Sequence, residues 1–179
     1  MLKHDIDGSA LEALANEYAA TPRQMQAAQG RAAKRTAATI RRLASTGLRT
    51  ELGLRNATAL RRRLKEFKVG RRGKVLKVWI GANDLPISAF KGRLQKVPGG
   101  IRLGSTTIHG AFFARIGGKR RVYQRIDGQR DRISEVSMPV ADRMMVYLED
   151  EVFTDVGSIF MRHLVSEVRA RTMLDAARS

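Results

Sequence analysis

Residues 107–126 read TIHGAFFARIGGKRRVYQRI, and this stretch decides the fold. Thr107 to Ile116 is rich in β-branched and aromatic side chains, as strands are. Gly117-Gly118 then interrupts the run. From Arg120 to Ile126 the chain alternates, Val122 and Gln124 facing one way and Tyr123 and Arg125 the other. A glycine pair between two such runs is a tight hairpin turn. The expectation is two antiparallel strands, with Gly110 marking a bulge or a close backbone approach in the first. Gly110-Ala111-Phe112 reads as core rather than as a contact site.

Working outward, Asp127-Gly128 turns the chain again and Ile133 to Met138 is expected to close the sheet. Upstream, Lys91 to Val97 and Gly100 to Leu103 form a hairpin across Pro98-Gly99. Asp84-Leu85-Pro86-Ile87 reads as a turn, because Pro86 biases Leu85 away from helix. Val75 to Ile80, with the single tryptophan Trp79, is another strand.

Both ends are helical. Ser9 to Tyr18 carries Leu11, Leu14, Ala15 and Tyr18 at helical spacing. Thr21-Pro22 is a start signal, an N-cap with Pro at the first helical position. Met25, Ala28, Ala32, Thr36, Ile40, Leu43 and Leu48 then mark the buried stripe of a helix running to about Leu52, where Gly53 stops it. That length spans about 45 Å at 1.5 Å per residue. Asn56 is an N-cap for a further helix from Ala57 to about Phe67, with Leu60, Leu64 and Phe67 inward. After Pro139, Val140 to Leu148 and Glu149 to Ala177 read as helices, striped by Val152, Val156, Ile159, Phe160, Leu164 and Val168.

The class is therefore α+β: a long N-terminal helix, a small antiparallel sheet and C-terminal helices. Three segments follow: residues 1–55 as a helical arm, 56–139 as a basic helix plus sheet core, and 140–179 as helices packing on that core.

Composition bounds the chemistry. The 179 residues carry 34 Lys+Arg against 17 Asp+Glu, a net charge of +17, and no cysteine. Disulfides, thiolate zinc sites and cysteine nucleophiles are excluded. No run approaches the ~20 apolar residues of a membrane span, and the first residues lack the basic-then-apolar pattern of a secretory leader. Synthesis and function in a cytoplasm, or in something assembled there and away from membranes, is the expectation. The three histidines, His4, His109 and His163, read as ordinary surface or packing residues.

The charge is polarised. Fifteen Lys/Arg and two acids lie between Arg31 and Lys74, whereas residues 140–179 hold seven acids and five bases. Such a field draws polyanions, and it also suits head-to-tail association of identical subunits. Arg61, Arg62, Arg63, Lys65, Lys68, Arg71, Arg72 and Lys74 are the candidate contacts for DNA or for an acidic partner. A merely solvated basic face is the plain alternative.

Reaction chemistry finds no footing. Gly70-Arg71-Arg72-Gly73-Lys74 resembles a phosphate loop at a glance, but two residues rather than four separate the glycines, and Val75 stands where Ser or Thr would hold magnesium. Of the acids at 149–151 and 155, only Glu151 and Asp155 share a helix face, a weak metal site. No nucleophile–base pair is in view, so neither an enzyme nor a cofactor is expected. Aromatics are 6% of the chain and do not interleave with the basic residues, so a nucleic-acid contact would be phosphate-directed and sequence-blind.

Three stretches carry a family resemblance. They are the basic helix-to-strand region Thr58 to Ile80; Gly81 to Ile87, ending in Asp84-Leu85-Pro86; and Ile108 to Phe113 with Gly110-Ala111-Phe112, a glycine turn, Gln124-Arg125 and Ser137-Met138-Pro139. In this order they resemble the minor tail protein Z family of lambda-type phages, the tail completion proteins. The similarity covers roughly residues 55 to 145. His109 departs from the proline expected before Gly-Ala-Phe.

The resemblance implies a structural virion protein at the head-proximal end of a long phage tail, finishing that end for joining to the head. It implies a ring of this chain, six copies matching tail symmetry. Tail terminator, tail tube or neck proteins would be the neighbours, with DNA in the lumen. The alternative reading is a sequence-independent basic nucleic-acid-binding protein.

Overall fold

The computed structural model describes residues 8–61, 63–64, 66–69 and 76–177. The chain is α+β, with long helices around short antiparallel strands. Helix α1 spans Gly8–Glu17 and helix α2 spans Pro22–Glu51. Thr21 caps α2 with a capping box. Its hydroxyl accepts from the Gln24 N–H at 3.3 Å, and Gln24 Oε1 accepts from the Thr21 N–H at 2.7 Å. Two otherwise orphaned donors are thereby satisfied. The helix ends as expected, at Leu52 with Gly53 in the left-handed region at φ 64°.

The α2 stripe buries Met25, Ala28, Ala32, Thr36, Ile40, Ala44 and Leu48. The sequence reading placed Leu43 in that stripe, but it is 38% exposed and Ala44 takes the inward place. Steps of four from Ile40 keep the stripe facing one partner. That partner is α5, Val156–Ala176, which runs antiparallel to α2: Arg35 meets Glu167 and Thr39 meets His163.

Between the helices lie α3 (Thr58–Arg61) and strands β1 (Glu66–Val69), β2 (Leu76–Trp79), β3 (Leu85–Pro86), β4 (Leu94–Val97), β5 (Gly100–Leu103), β6 (Thr106–His109), β7 (Phe112–Ile116), β8 (Lys119–Arg125), β9 (Ile133–Glu135) and β10 (Ser137–Met138). Helix α4 is Ala141–Tyr147, followed by a π-helical turn, Leu148–Val152. Among the described residues the strands form four small antiparallel sheets: β1-β2, β3-β10, β4-β5-β6 and β7-β8-β9.

Several expectations need correction. The helix expected over 57–67 stops at Arg61, and residues 66–69 are strand. Glu66-Phe67-Lys68-Val69 alternates polar and apolar, a period of two that pairing with β2 selects over helical propensity. The strand expected over 107–116 is two strands in different sheets, broken where Gly110 adopts φ 70° and Ala111 is buried. The strand expected over 133–138 likewise splits at Val136, whose N–H donates to Val122 O while its carbonyl accepts from Ile87 N–H. Asp84 to Ile87 is not a free turn: Leu85 and Pro86 pair with Met138 and Ser137, and a 3-10 turn follows at Ile87–Ala89. Strand β4 begins at Leu94 rather than Lys91. The helix expected from Glu149 begins only at Val156, after the π-helical turn.

Three apolar clusters hold these parts together. The largest joins Ile40, Leu48, Leu54, Leu60, Leu64, Leu85, Met144, Leu148 and Val152. Residues from the presumed arm, the middle segment and the C-terminal segment thus share one core. Each fully buried aliphatic side chain contributes about 1.5–3 kcal/mol relative to exposure. The second cluster closes α1, the first half of α2 and α5 through Leu14, Met25, Ala28, Phe160, Leu164 and Val168. The third, Ile87, Ile101, Ala111, Val122 and Val136, lies under the strands.

Candidate functional site

The basic residues separate into structural and free ones. Arg55 donates through Nε to Phe90 O at 2.8 Å and through Nη2 to Gly92 O at 2.5 Å. Arg63 donates to three carbonyls: Ala59 O at 2.9 Å, Asn83 O at 3.1 Å and Asp84 O at 2.6 Å. A planar guanidinium with five donors suits this multiple backbone contact. Burial lowers the Arg63 pKa from its ordinary value, and the Asp84 charge works against that shift. Arg63 therefore clamps the 81–86 loop and is not a free contact residue.

Of the other candidate contacts, Arg61 is exposed at the end of α3. Lys68 sits opposite Lys77 in the β1-β2 register. Arg62, Lys65, Arg71, Arg72 and Lys74 lie outside the described residues.

The motif residues are architectural. Leu85 is fully buried, Pro86 pairs with Ser137, and the Asp84 carbonyl receives Arg63. Gly110 makes the turn between β6 and β7, and Phe112 pairs with Tyr123. Gln124 Nε2 donates to His109 O at 2.9 Å, tying the two three-stranded sheets together. Arg125 is exposed opposite Ile133.

Exposed cations stand both on the strand segment 91–132 and on α2. Arg31, Lys34, Arg41, Arg42 and Arg49 are exposed. None of the five has a carboxylate within ion-pair distance among the described residues. Arg35, on the same face, is the exception, bound to Glu167 at 3.0 Å. Ala38, Arg41, Arg42, Ser45 and Thr46 line a shallow hollow on this surface. A count of bases along the sequence does not separate them by helix face. Advancing 100° per residue along 22–51 brings Arg31, Arg42 and Arg49 into one row, a signal the sequence already held.

Acids gather at α4 and the π-helical turn. Asp142, Glu149, Asp150, Glu151 and Asp155 are exposed, and among them Met145 and Val146 are 39% and 58% exposed. Among the described residues no three His, Cys, Asp or Glu side chains are grouped to hold a metal, and no helix is long and apolar enough to cross a membrane. His163 lies against Thr39, its Nε2 3.2 Å from the hydroxyl. Burial, Arg35 and Arg162 lower its pKa, with Glu167 opposing. His109 is exposed, and His4 lies outside the described residues.

Compared with protein-family models, curated proteins and solved structures, the chain matches none.

Proposed function

We propose that this chain is a structural virion subunit of a long-tailed phage, a tail completion protein that finishes the head-proximal end of the tail. The observation that carries the reading is the segregation of exposed charge between elements. One long helix presents cations without carboxylate partners among the described residues, and the α4 end presents exposed acids interspersed with Met145 and Val146. The exposed acidic segment with its apolar pair is suited to contact between subunits, and the basic helix face to an anion such as DNA in a lumen. The Gly110-Ala111-Phe112 and Gln124-Arg125 motifs supply the family resemblance, and Gln124 ties β8 to His109 at the end of β6.

Six copies around the tail axis, contacting terminator, tube or neck proteins, form the assembly this reading expects. Cryo-electron microscopy of particles from the cells that make the chain tests it. Density for the chain in a ring at the top of the tail supports the reading, and particles complete without it overturn it. The second reading, a free sequence-blind nucleic-acid-binding protein, draws on the same unpaired α2 cations. It predicts a chain found off the particle, bound to bulk nucleic acid.

A further inference from the structure

We infer that the outward face of α2 is a binding site for the phosphate backbone of double-stranded DNA, with Arg31, Lys34, Arg41, Arg42 and Arg49 as the contacting side chains. The inference takes its biological setting from the tail-end reading, but the contact itself is a property of the isolated chain.

The helix sets the geometry. Arg31, Arg42 and Arg49 fall within about 20° of one line, and Lys34 and Arg41 form a second row about 60–80° away. Between the rows stand only Ala27, Ala38 and Ser45. The result is a trough of small residues with cations on both rims, extending about 27 Å from Arg31 to Arg49. At its centre is the hollow lined by Arg41, Arg42, Ser45 and Thr46. Guanidinium groups beside such a shallow depression are suited to phosphate oxygens. Between Pro22 and Thr50 there is no acidic residue to oppose an anion. Burial of the opposite stripe against α5 holds this face outward.

The same face argues against other occupants. A protein partner needs apolar or aromatic anchors at the centre of its interface, and the trough has none. A single strand is held by stacking its bases on aromatic rings, and no aromatic residue lies on α2. What is left is charge at regular spacing, which suits the backbone of a duplex and reads no sequence.

The test is fluorescence anisotropy of the full chain with a labelled mixed-sequence 20-bp DNA duplex at several salt concentrations between about 50 and 200 mM. Equal affinity is expected for unrelated duplexes, with a log–log salt slope of about −4.5. Arg41→Gln with Arg42→Gln should make that slope shallower by about 1.8 and weaken binding at least tenfold at about 100 mM salt. Both positions are exposed and Gln keeps helix propensity, so circular dichroism should be unchanged. An unaltered slope in this double variant overturns the site. So does loss of binding only in Arg61→Gln/Arg71→Gln/Arg72→Gln, which places the contact in the other basic segment. Displacement by polyglutamate at equal charge, or tighter binding of a single strand, overturns the ligand. A chain that binds the duplex but is missing from particles sinks the tail reading alone, and one present in particles without duplex affinity sinks this inference alone.

Discussion

Two arginines two positions apart have opposite roles. Arg63 satisfies three backbone carbonyls, whereas Arg61 projects into solvent. Arg63→Ala strands those acceptors and should cost about 1.5–3 kcal/mol in urea unfolding, the range for hydrogen bonds to a charged group. Arg61→Ala should stay within about 0.5 kcal/mol of the parent. His163 gives a pH signature. Its folded-state pKa lies below the ordinary value, so between the two values the unfolded chain binds more protons. Its contribution is therefore complete above the unfolded pKa of about 6.5 and declines as pH falls below it. Melting temperature should drop from pH 7.5 to 5.5, and His163→Gln should show a smaller drop because Gln can still meet the Thr39 hydroxyl.

At the scale of elements, the two glycines inside α2 do different things. A Cβ at Gly30 meets nothing within 4 Å, whereas one at Gly47 would sit 1.8 Å from Tyr147 Oη and 2.5 Å from its Cζ. Gly47 thus marks where α4 crosses α2 closely. Gly30→Ala should stabilise by about 1 kcal/mol, since alanine restricts the unfolded chain and favours helix. Gly47→Ala should destabilise despite the same gain in propensity, because the half-buried Tyr147 ring must leave its place. Paired thermal melts of the two variants read the difference in sign. The strands show the same dependence on neighbours. Leu60, Leu64 and Phe67 also fit a period of 3.6, and only the β2 ladder resolves β1 as strand.

For the whole molecule, the apolar pair at the acidic end makes the assembly reading testable without particles. Met145 and Val146 are substantially exposed. Met145→Asp with Val146→Asp should leave the monomer folded, with an unchanged circular dichroism spectrum, while lowering the oligomer fraction seen by mass photometry. An oligomer that persists in this variant removes the α4 end from the subunit contact. Arg143, beside this end, donates to the Glu51 carbonyl and meets its Oε1 at 3.0 Å, so the acidic surface is anchored to the α2 terminus.

The sequence by itself determined the α+β class, the start and stop of α2, the hairpin turns at Pro98-Gly99 and Gly117-Gly118, and the polarity of charge. Each rests on local sterics, capping or composition, and Thr21, Pro22 and Gly53 act within a turn of where they stand. Tertiary structure alone decided that 107–116 and 133–138 each divide between sheets, that Leu43 yields its inward place to Ala44, and that Arg55 and Arg63 are clamps while the α2 cations are free. Those outcomes depend on partners far along the chain: α5 against α2, the 81–92 loop against Arg55 and Arg63, and Val136 between Val122 and Ile87. A side chain's role follows from which of its donors the fold has already satisfied, and no local pattern carries that information.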